Sequence, residues 1–201
     1  YNTSEYLKDM GTPSRLEKVK EDLLNNIIKT RSYRNRQRTL FLDRDNTIIE
    51  CDENHYITSI DEINIKTNRI KKICDIAKDF DFVLLISNQP QISMGIVNLQ
   101  DVIKINGEVI RQCAELGLEI SGSYFCPHHP HNGFEGEIEY LKSTCFCRKP
   151  KPGLLLEASY DKNIDINKSL MIGDSWRDLE AAKSINLSFK WANTLDSPSN
   201  K

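Results

Sequence analysis

Short apolar runs alternate with amphipathic segments along most of this chain. Five apolar runs have the length of buried strands, at 39–43, 82–87, 119–125, 169–173 and, more briefly, 187–191. Segments with apolar residues at three- and four-residue spacing predict helices at 67–79, 99–116, 152–160 and 176–185. This alternation predicts an α/β fold, with helices on both faces of a doubly wound parallel sheet.

The first 38 residues differ from the rest, so we divide the chain into residues 1–38 and 39–201. Apolar side chains between Ser14 and Thr30 predict one polar helix. The basic run from Arg31 to Arg38 is interpreted as a solvated linker, with a binding patch as the alternative.

Charge and apolar content narrow the functional classes. The 201 residues carry a formal net charge of −2, which argues against a general nucleic-acid or membrane surface. No apolar run approaches the ~20 residues that span a bilayer, and no secretory leader is visible. We therefore expect a cytoplasmic protein whose six cysteines serve metal binding or packing rather than disulfides.

Two carboxylates, Asp43 and Asp45, directly follow the first apolar run. In an extended strand the side chains at i and i+2 point the same way, so the two should emerge together. Two neighbouring negative charges repel unless a cation lies between them. A metal ion and a phosphate would explain the pair, although an isolated Asp-x-Asp also occurs in solvated turns.

Further polar residues follow the other predicted strands. Ser87 ends the second strand, Lys149 lies in the stretch Arg-Lys-Pro-Lys-Pro-Gly, and Asp174 ends the strand before Asp178. Ligands in parallel sheets bind beyond the carboxyl ends of the strands, so we expect these side chains to converge there.

This ordered set of four motifs resembles that of the haloacid-dehalogenase-type phosphatases, which implies a Rossmann-like sheet and hydrolysis of a phosphate monoester through an aspartyl-phosphate. The resemblance implies Asp43 as nucleophile, Asp45 as general acid and base, and Ser87 and Lys149 as phosphoryl-binding groups. Mg²⁺ would be held by a carboxylate-rich set comprising Asp43, the backbone carbonyl of Asp45, Asp174 and Asp178. Asp178 would also orient Lys149 or a metal-bound water. Asn46 departs from the usual glycine, but asparagine tolerates the left-handed turn.

A second cluster combines a Cys-x-His pair, Cys126 and His128, with a Cys-x-Cys pair, Cys145 and Cys147. Four such ligands suit a closed, tetrahedral and therefore structural zinc site. The neighbouring His129 and His131 are alternative ligands to His128.

These cysteine motifs, followed by Arg-Lys-Pro, are similar to those of the histidinol-phosphate and heptose-bisphosphate phosphatase branch, over about residues 39–192. In that branch zinc pins the loop that carries a substrate-recognising arginine, here Arg148. Asn88 and Gln89 are further candidate substrate contacts. Asp52 and Tyr56 lie where the heptose branch touches its substrate, although a plain solvated loop is an equal alternative.

The resemblance favours a heptose 1,7-bisphosphate as substrate, losing its 7-phosphate. Histidinol phosphate is the alternative, a polynucleotide 3′-phosphatase is third, and a non-catalytic zinc-stabilised accessory domain is the non-enzymatic hypothesis. The short intervals from Asp45 to Ser87 and from Ser87 to Lys149 leave no room for a large cap, so the site should be open.

The segment from Tyr6 to Pro13 looks like the end of a sugar-phosphate nucleotidyltransferase domain, although a chance Gly-Thr-Pro turn would give the same letters. The resemblance predicts an upstream nucleotidyltransferase in the intact protein. No nucleic-acid or membrane partner is expected.

Overall fold

A computed structural model of the chain describes residues 5–52 and 55–196. Five parallel strands form one sheet in the order β3-β2-β1-β4-β5. Their bounds are Thr39–Leu42 (β1), Phe82–Asn88 (β2), Gly122–Cys126 (β3), Leu170–Gly173 (β4) and Ser188–Trp191 (β5). The predicted α/β parallel sheet is confirmed, although β3 begins three residues later than expected, at Gly122.

Four helices connect the strands, and two more precede the sheet. Their bounds are Pro13–Leu24 (α1), Ile27–Thr30 (α2), Thr67–Ala77 (α3), Leu99–Glu115 (α4), Gly153–Asp161 (α5) and Trp176–Lys183 (α6). A capping box between Asn98 and Asp101 starts α4, and one between Ser175 and Asp178 starts α6.

Side chains on the central strands alternate between two buried cores. Leu40 and Leu42 pack with the apolar faces of α3 and α4, whereas Phe41 packs with α5 and α6. Because both faces of the sheet are covered, the strands read as continuous apolar runs. This packing leaves the carboxyl edge of the sheet free for polar loops.

The helix predicted from Ser14 to Thr30 is wrong in one respect, because the structure breaks it. Asn26 adopts the left-handed conformation at φ 57° and separates α1 from α2. Asparagine reaches that conformation more readily than other non-glycine residues. Upstream, Tyr6 and Lys8 both bind the buried carboxylate of Asp22 at 2.8 and 3.0 Å, which docks the first described segment on α1.

The interpretation of residues 31–38 as a solvated linker is also corrected. The Arg31 guanidinium lies 4.9 Å from the centroid of the Phe82 ring. Gln37 is buried and pairs with the backbone after α5, while Arg38 binds Asp81. The middle of this basic run and the Arg38 side chain are exposed to solvent, but the contacts of Arg31, Gln37 and Arg38 attach both ends of the run to the domain.

Two connections surround the carboxyl edge of the sheet. The one after β1 contains a 3-10 turn at Ile60–Glu62, and the one after β3 contains another at Glu139–Leu141. Neither forms a separate cap domain within residues 5–52 and 55–196, as predicted. In that same part of the chain, no helix is both long enough and apolar enough to cross a membrane.

Candidate active site

Asp43 lies immediately after β1, where its backbone N–H donates to the carbonyl of Ile172 in β4 at 3.0 Å. This bond fixes the nucleophile candidate between the two central strands. The chain then turns at Asn46, which has φ 57°. The Asn46 side chain accepts a hydrogen bond from the Cys51 backbone at 3.1 Å, so the expected left-handed turn forms without glycine.

Lys149 is the centre of the buried charge network. Its Nζ lies 2.5 Å from Asp43 Oδ1, 2.6 Å from Asp178 Oδ1 and 2.8 Å from the Ile86 carbonyl. Burial acts to lower the pKa of Lys149, but the charges of Asp178 and Asp43 outweigh it and raise that pKa above its usual value. The side chain is therefore a fixed cation in contact with the carboxylate at the end of β1.

The backbone of Lys149 is held as firmly as its side chain. Asn88 Oδ1 accepts from the Lys149 N–H at 3.0 Å, and Asn88 Nδ2 donates to the Lys149 carbonyl at 3.0 Å. Asn88, predicted to touch substrate, does line the cavity. Its hydrogen bonds add a positioning role that the sequence did not reveal.

Asp45 is clamped from two sides. Arg44 Nε and Nη2 reach its two carboxylate oxygens at 2.9 and 3.1 Å, and Gln89 Nε2 donates at 3.1 Å. Arg44 is fully buried and also donates to Asn106 Oδ1 at 2.8 Å. The guanidinium thereby ties Asp45 to α4, an anchor that the sequence analysis missed.

Gln89 is the clearest correction among the predicted substrate contacts. It is fully buried, and its amide contacts Asp45, Ser87 and Gln91 rather than the cavity. Ser87 is likewise buried at the end of β2 and accepts from Gln89 at 3.1 Å. The structure therefore makes Gln89 a positioning residue, because the chain after β2 turns inward.

The carboxylates of Asp43, Asp174 and Asp178 lie together, with oxygens within 4.8 Å of one another. Such an all-oxygen, anionic set fits a hard divalent cation such as Mg²⁺. Asp178 also accepts from the Ser175 hydroxyl at 2.6 Å and pairs with Lys149. The Asp45 side chain does not belong to this set, because Arg44 and Gln89 hold it.

Asp43 and Asp174 share one electrostatic feature, since burial and the charge of Asp178 raise the pKa of each, whereas the pKa of Asp178 is lowered. For Asp174, Lys149 and Arg177 oppose this shift. Binding a divalent cation between these carboxylates would remove the repulsion.

The four predicted zinc ligands also converge. Cys126 Sγ lies 3.4 Å from Cys145 Sγ and 3.0 Å from Cys147 Sγ, and His128 Nδ1 lies 3.3 Å from Cys147 Sγ. Zn–S bonds of about 2.3 Å place two sulfur ligands about 3.8 Å apart in a tetrahedron. The sulfur atoms lie somewhat closer together than that spacing, and the convergence of three thiols and one imidazole is the donor set that fits zinc. His129 instead packs against His131 and Phe134, which favours His128 as the ligand.

An open cavity of about 500 Å³ lies over these groups. It is bounded by the first motif, by the loop after it, by the Arg148–Lys149 stretch and by the start of α6. Its charged and aromatic lining residues are Asp43, Asp45, Asp52, His55, Tyr56, Arg148, Lys149, Asp174 and Arg177. Asp52 and Tyr56 thus line the cavity as predicted, whereas Arg177 had no predicted role.

Arg148 follows the last cysteine directly and is oriented by the cysteine loop, which we define as residues 126–147. Its Nη1 donates to the His128 carbonyl at 3.2 Å. Burial lowers the pKa of Arg148, and the nearby positive charge of Arg177 adds to that effect. Two arginines therefore face one region of the cavity.

Comparison with known proteins agrees with this geometry. A family model described as HAD-hydrolase-like matches residues 146–193. D-glycero-beta-D-manno-heptose-1,7-bisphosphate 7-phosphatase from Yersinia pestis is 34% identical over 152 residues, covering 75% of this chain and 77% of the relative. The enzyme of the same name from Escherichia coli K12 is 31% identical over 151 residues, covering 75% and 76%.

Two solved structures are similar in fold. A HAD-like phosphatase from Mesorhizobium loti superposes with a TM-score of 0.67 at 28% identity, covering 76% of this chain and 70% of that one. D,D-heptose 1,7-bisphosphate phosphatase from B. bronchiseptica, in complex with magnesium and phosphate, gives a TM-score of 0.63 at 25% identity, covering 76% of this chain and 78% of that one. These similarities confirm the predicted fold.

Proposed function

Because this chain belongs to the haloacid-dehalogenase-like phosphatases, in the family of the heptose-1,7-bisphosphate 7-phosphatases, we propose that it removes the 7-phosphate of D-glycero-D-manno-heptose 1,7-bisphosphate. The observation that carries this proposal is the buried contact between Lys149 and Asp43 beneath a cavity that Arg148 also lines. The site thus holds a nucleophile, a cation beside it and a second cation for the far end of the substrate.

The reaction begins at Asp43. Its carboxylate attacks phosphorus and forms an aspartyl-phosphate, while the bond from phosphorus to the sugar oxygen breaks. Asp45 gives its proton to that leaving oxygen. In the second half, Asp45 takes a proton from water, the water oxygen attacks phosphorus, and the Asp43 carboxylate is released. Both carboxylates return to their starting states.

The surrounding residues hold charge and orientation. Lys149 and the Ser87 hydroxyl bind phosphoryl oxygens, where negative charge must be stabilised. Asp43, the Asp45 backbone carbonyl and Asp174 would hold Mg²⁺, which would neutralise charge on the phosphoryl group and on the attacking carboxylate. Asp178 keeps Lys149 in place through their 2.6 Å contact. Arg44 and Gln89 hold the Asp45 carboxylate toward the leaving group.

Zinc at the quartet in the cysteine loop has a structural role in this proposal. The four ligands leave no open coordination position, so the ion would not activate water. Arg148 and Lys149 directly follow Cys147, and Arg148 also binds the His128 carbonyl at 3.2 Å. A metal there would pin both cations over the site.

The proposal is tested by measuring phosphate release, with Mg²⁺, from heptose 1,7-bisphosphate, histidinol phosphate and a 3′-phosphorylated oligonucleotide. We expect the highest kcat/KM for the heptose bisphosphate. Faster turnover of histidinol phosphate would replace the substrate assignment, and no turnover of any ester would favour a non-catalytic accessory domain. The upstream nucleotidyltransferase remains a prediction that the docked segment around Tyr6 does not decide.

A further inference from the structure

Arg177 occupies an electrostatically unfavourable place. It lies in the first turn of α6, where the helix dipole favours negative side chains. It is exposed, and its guanidinium lies 6.0 Å from the ring centroid of Trp176. In the part of the chain that the structure describes, it has no ion pair with a carboxylate. Stability alone therefore does not explain a cation at this position.

Arg148 approaches the same region from a different element. It extends from the end of the cysteine loop, and both guanidinium groups line the cavity that contains Asp43. Within the described residues, the Arg148 guanidinium donates one hydrogen bond, and its acceptor is the His128 carbonyl, a neutral group. Neither guanidinium forms an ion pair in that part of the chain, although the charge of Arg177 does act on the Asp174 carboxyl, and the two like charges repel each other. An anion between them would remove that cost.

The other cations of the cavity are already neutralised. Lys149 contacts Asp43 and Asp178, and Arg44 is paired with Asp45. The two arginines are therefore the free positive charges on the cavity surface within the described residues. A phosphate monoester carries about −1.5 to −2 charges near neutral pH, so one arginine leaves it only partly neutralised, whereas two match it.

We infer that Arg177 is a specificity-determining residue that, together with Arg148, binds the phosphate group of the substrate that is not cleaved. This inference rests on the proposed bisphosphatase function and adds to it a second ligand for the distal anion. One guanidinium group directly follows the cysteine loop and the other lies on α6. Both therefore bind the distal phosphate only when the substrate extends across the cavity from Asp43. The class of substrate is therefore a sugar with two phosphates.

The test compares Arg177→Gln and Arg177→Lys with wild type, on heptose 1,7-bisphosphate and on heptose 7-phosphate. Arg177→Gln should lower kcat/KM for the bisphosphate roughly ten- to a hundred-fold, the usual value of a charge-assisted contact. The monophosphate should lose no more than about threefold. Arg177→Lys should recover part of the loss, since it keeps the charge without the planar donor pair.

Lys183→Gln is the matched control, because it removes a positive charge from the other end of the same helix. A loss equal to that of Arg177→Gln would show that only the general field matters and would overturn the inference. Equal losses on both substrates, or no loss, would overturn it as well. If the two arginines share one phosphate, Arg148→Ala combined with Arg177→Gln should cost less than the product of the single losses.

A second experiment distinguishes failure of this inference from failure of the proposed function. If wild type hydrolyses p-nitrophenyl phosphate but neither heptose ester, the proposed substrate is wrong. Fructose 1,6-bisphosphate and fructose 6-phosphate are then compared as inhibitors of that reaction. The two-arginine site predicts stronger inhibition by the bisphosphate and loss of that preference in Arg177→Gln. Equal inhibition of wild type by both sugars would refute the site.

Discussion

The contact between Lys149 and Asp178 leads to a sharp prediction about stability. Asp178→Asn keeps the shape of the side chain and its ability to cap α6, but removes one of the two charges that hold the buried ammonium. Lys149 then retains Asp43 at 2.5 Å and the Ile86 carbonyl at 2.8 Å. Breaking a buried ion pair costs about 3–5 kcal/mol. We expect about 3 kcal/mol here, because Asp43 remains.

Asp174→Asn is the matched control, because Asp174 is a neighbouring carboxylate without a lysine contact in the described residues. Burial and the charge of Asp178 raise the pKa of Asp174. A carboxyl with a raised folded-state pKa destabilises the fold once the pH exceeds its unfolded pKa of about 3.9. Because the Asp174 side chain is exposed to solvent, this effect is small, and a neutral amide should leave the free energy of unfolding nearly unchanged.

The assay is urea or thermal unfolding at pH 7 without added Mg²⁺. Mg²⁺ is removed beforehand by gel filtration, because a chelator would also remove zinc. Three kcal/mol corresponds to a fall in Tm of roughly 6–12 °C for a protein of this size. The low pKa of Asp178 means that the deficit should persist above about pH 4 and shrink as the pH falls through that pKa. Equal losses in the two variants, or a loss below about 1 kcal/mol for Asp178→Asn, would refute this reasoning.

Three further predictions concern the substrate, the metal and the packing of the loops. Arg148→Ala should lower kcat/KM for heptose 1,7-bisphosphate roughly ten- to a hundred-fold more than for heptose 7-phosphate, and equal losses would defeat the bisphosphate assignment. Elemental analysis of the purified protein should find about one equivalent of zinc per chain. The double variant Cys145→Ser, Cys147→Ser should lose zinc, stability and activity together. Less than about half an equivalent of zinc in untreated protein would contradict a structural site. Gly95→Ala should destabilise by about 2 kcal/mol in urea unfolding, because a Cβ there would overlap the backbone of the cysteine loop at a φ of +74°. Gly107→Ala, which has open space, should not lose stability.

The main features of the sheet and the site could be predicted because each depends on local patterns. Apolar runs of strand length mark β1 and β2, and the polar residues that follow them meet at one edge because parallel strands end together. The spacing of Cys126 and His128 indicates a metal pair without any tertiary information. Each of these patterns can be recognised in a single sequence.

Other features depend on tertiary contacts that no local pattern encodes. Arg44 reads as an ordinary charged residue beside two aspartates, yet it is buried against Asn106 of α4, 62 positions away. Gln89 reads as a substrate contact until the fold turns it inward. Arg177 becomes a candidate binding residue only once the fold shows that α6 places it at the cavity that Arg148 also lines. Such roles become visible once the burial and charge of neighbouring elements are known.

The central claim is that Asp43 carries out removal of the 7-phosphate from heptose 1,7-bisphosphate. Its most direct test follows the reaction of the purified protein with Mg²⁺ by phosphorus NMR. Wild type should convert the 7-phosphate signal to inorganic phosphate while the 1-phosphate signal remains, and Asp43→Asn, shown by circular dichroism to be folded at the assay temperature, should release none. Loss of the 1-phosphate, or substantial release by a contaminant-free Asp43→Asn preparation, would contradict the account.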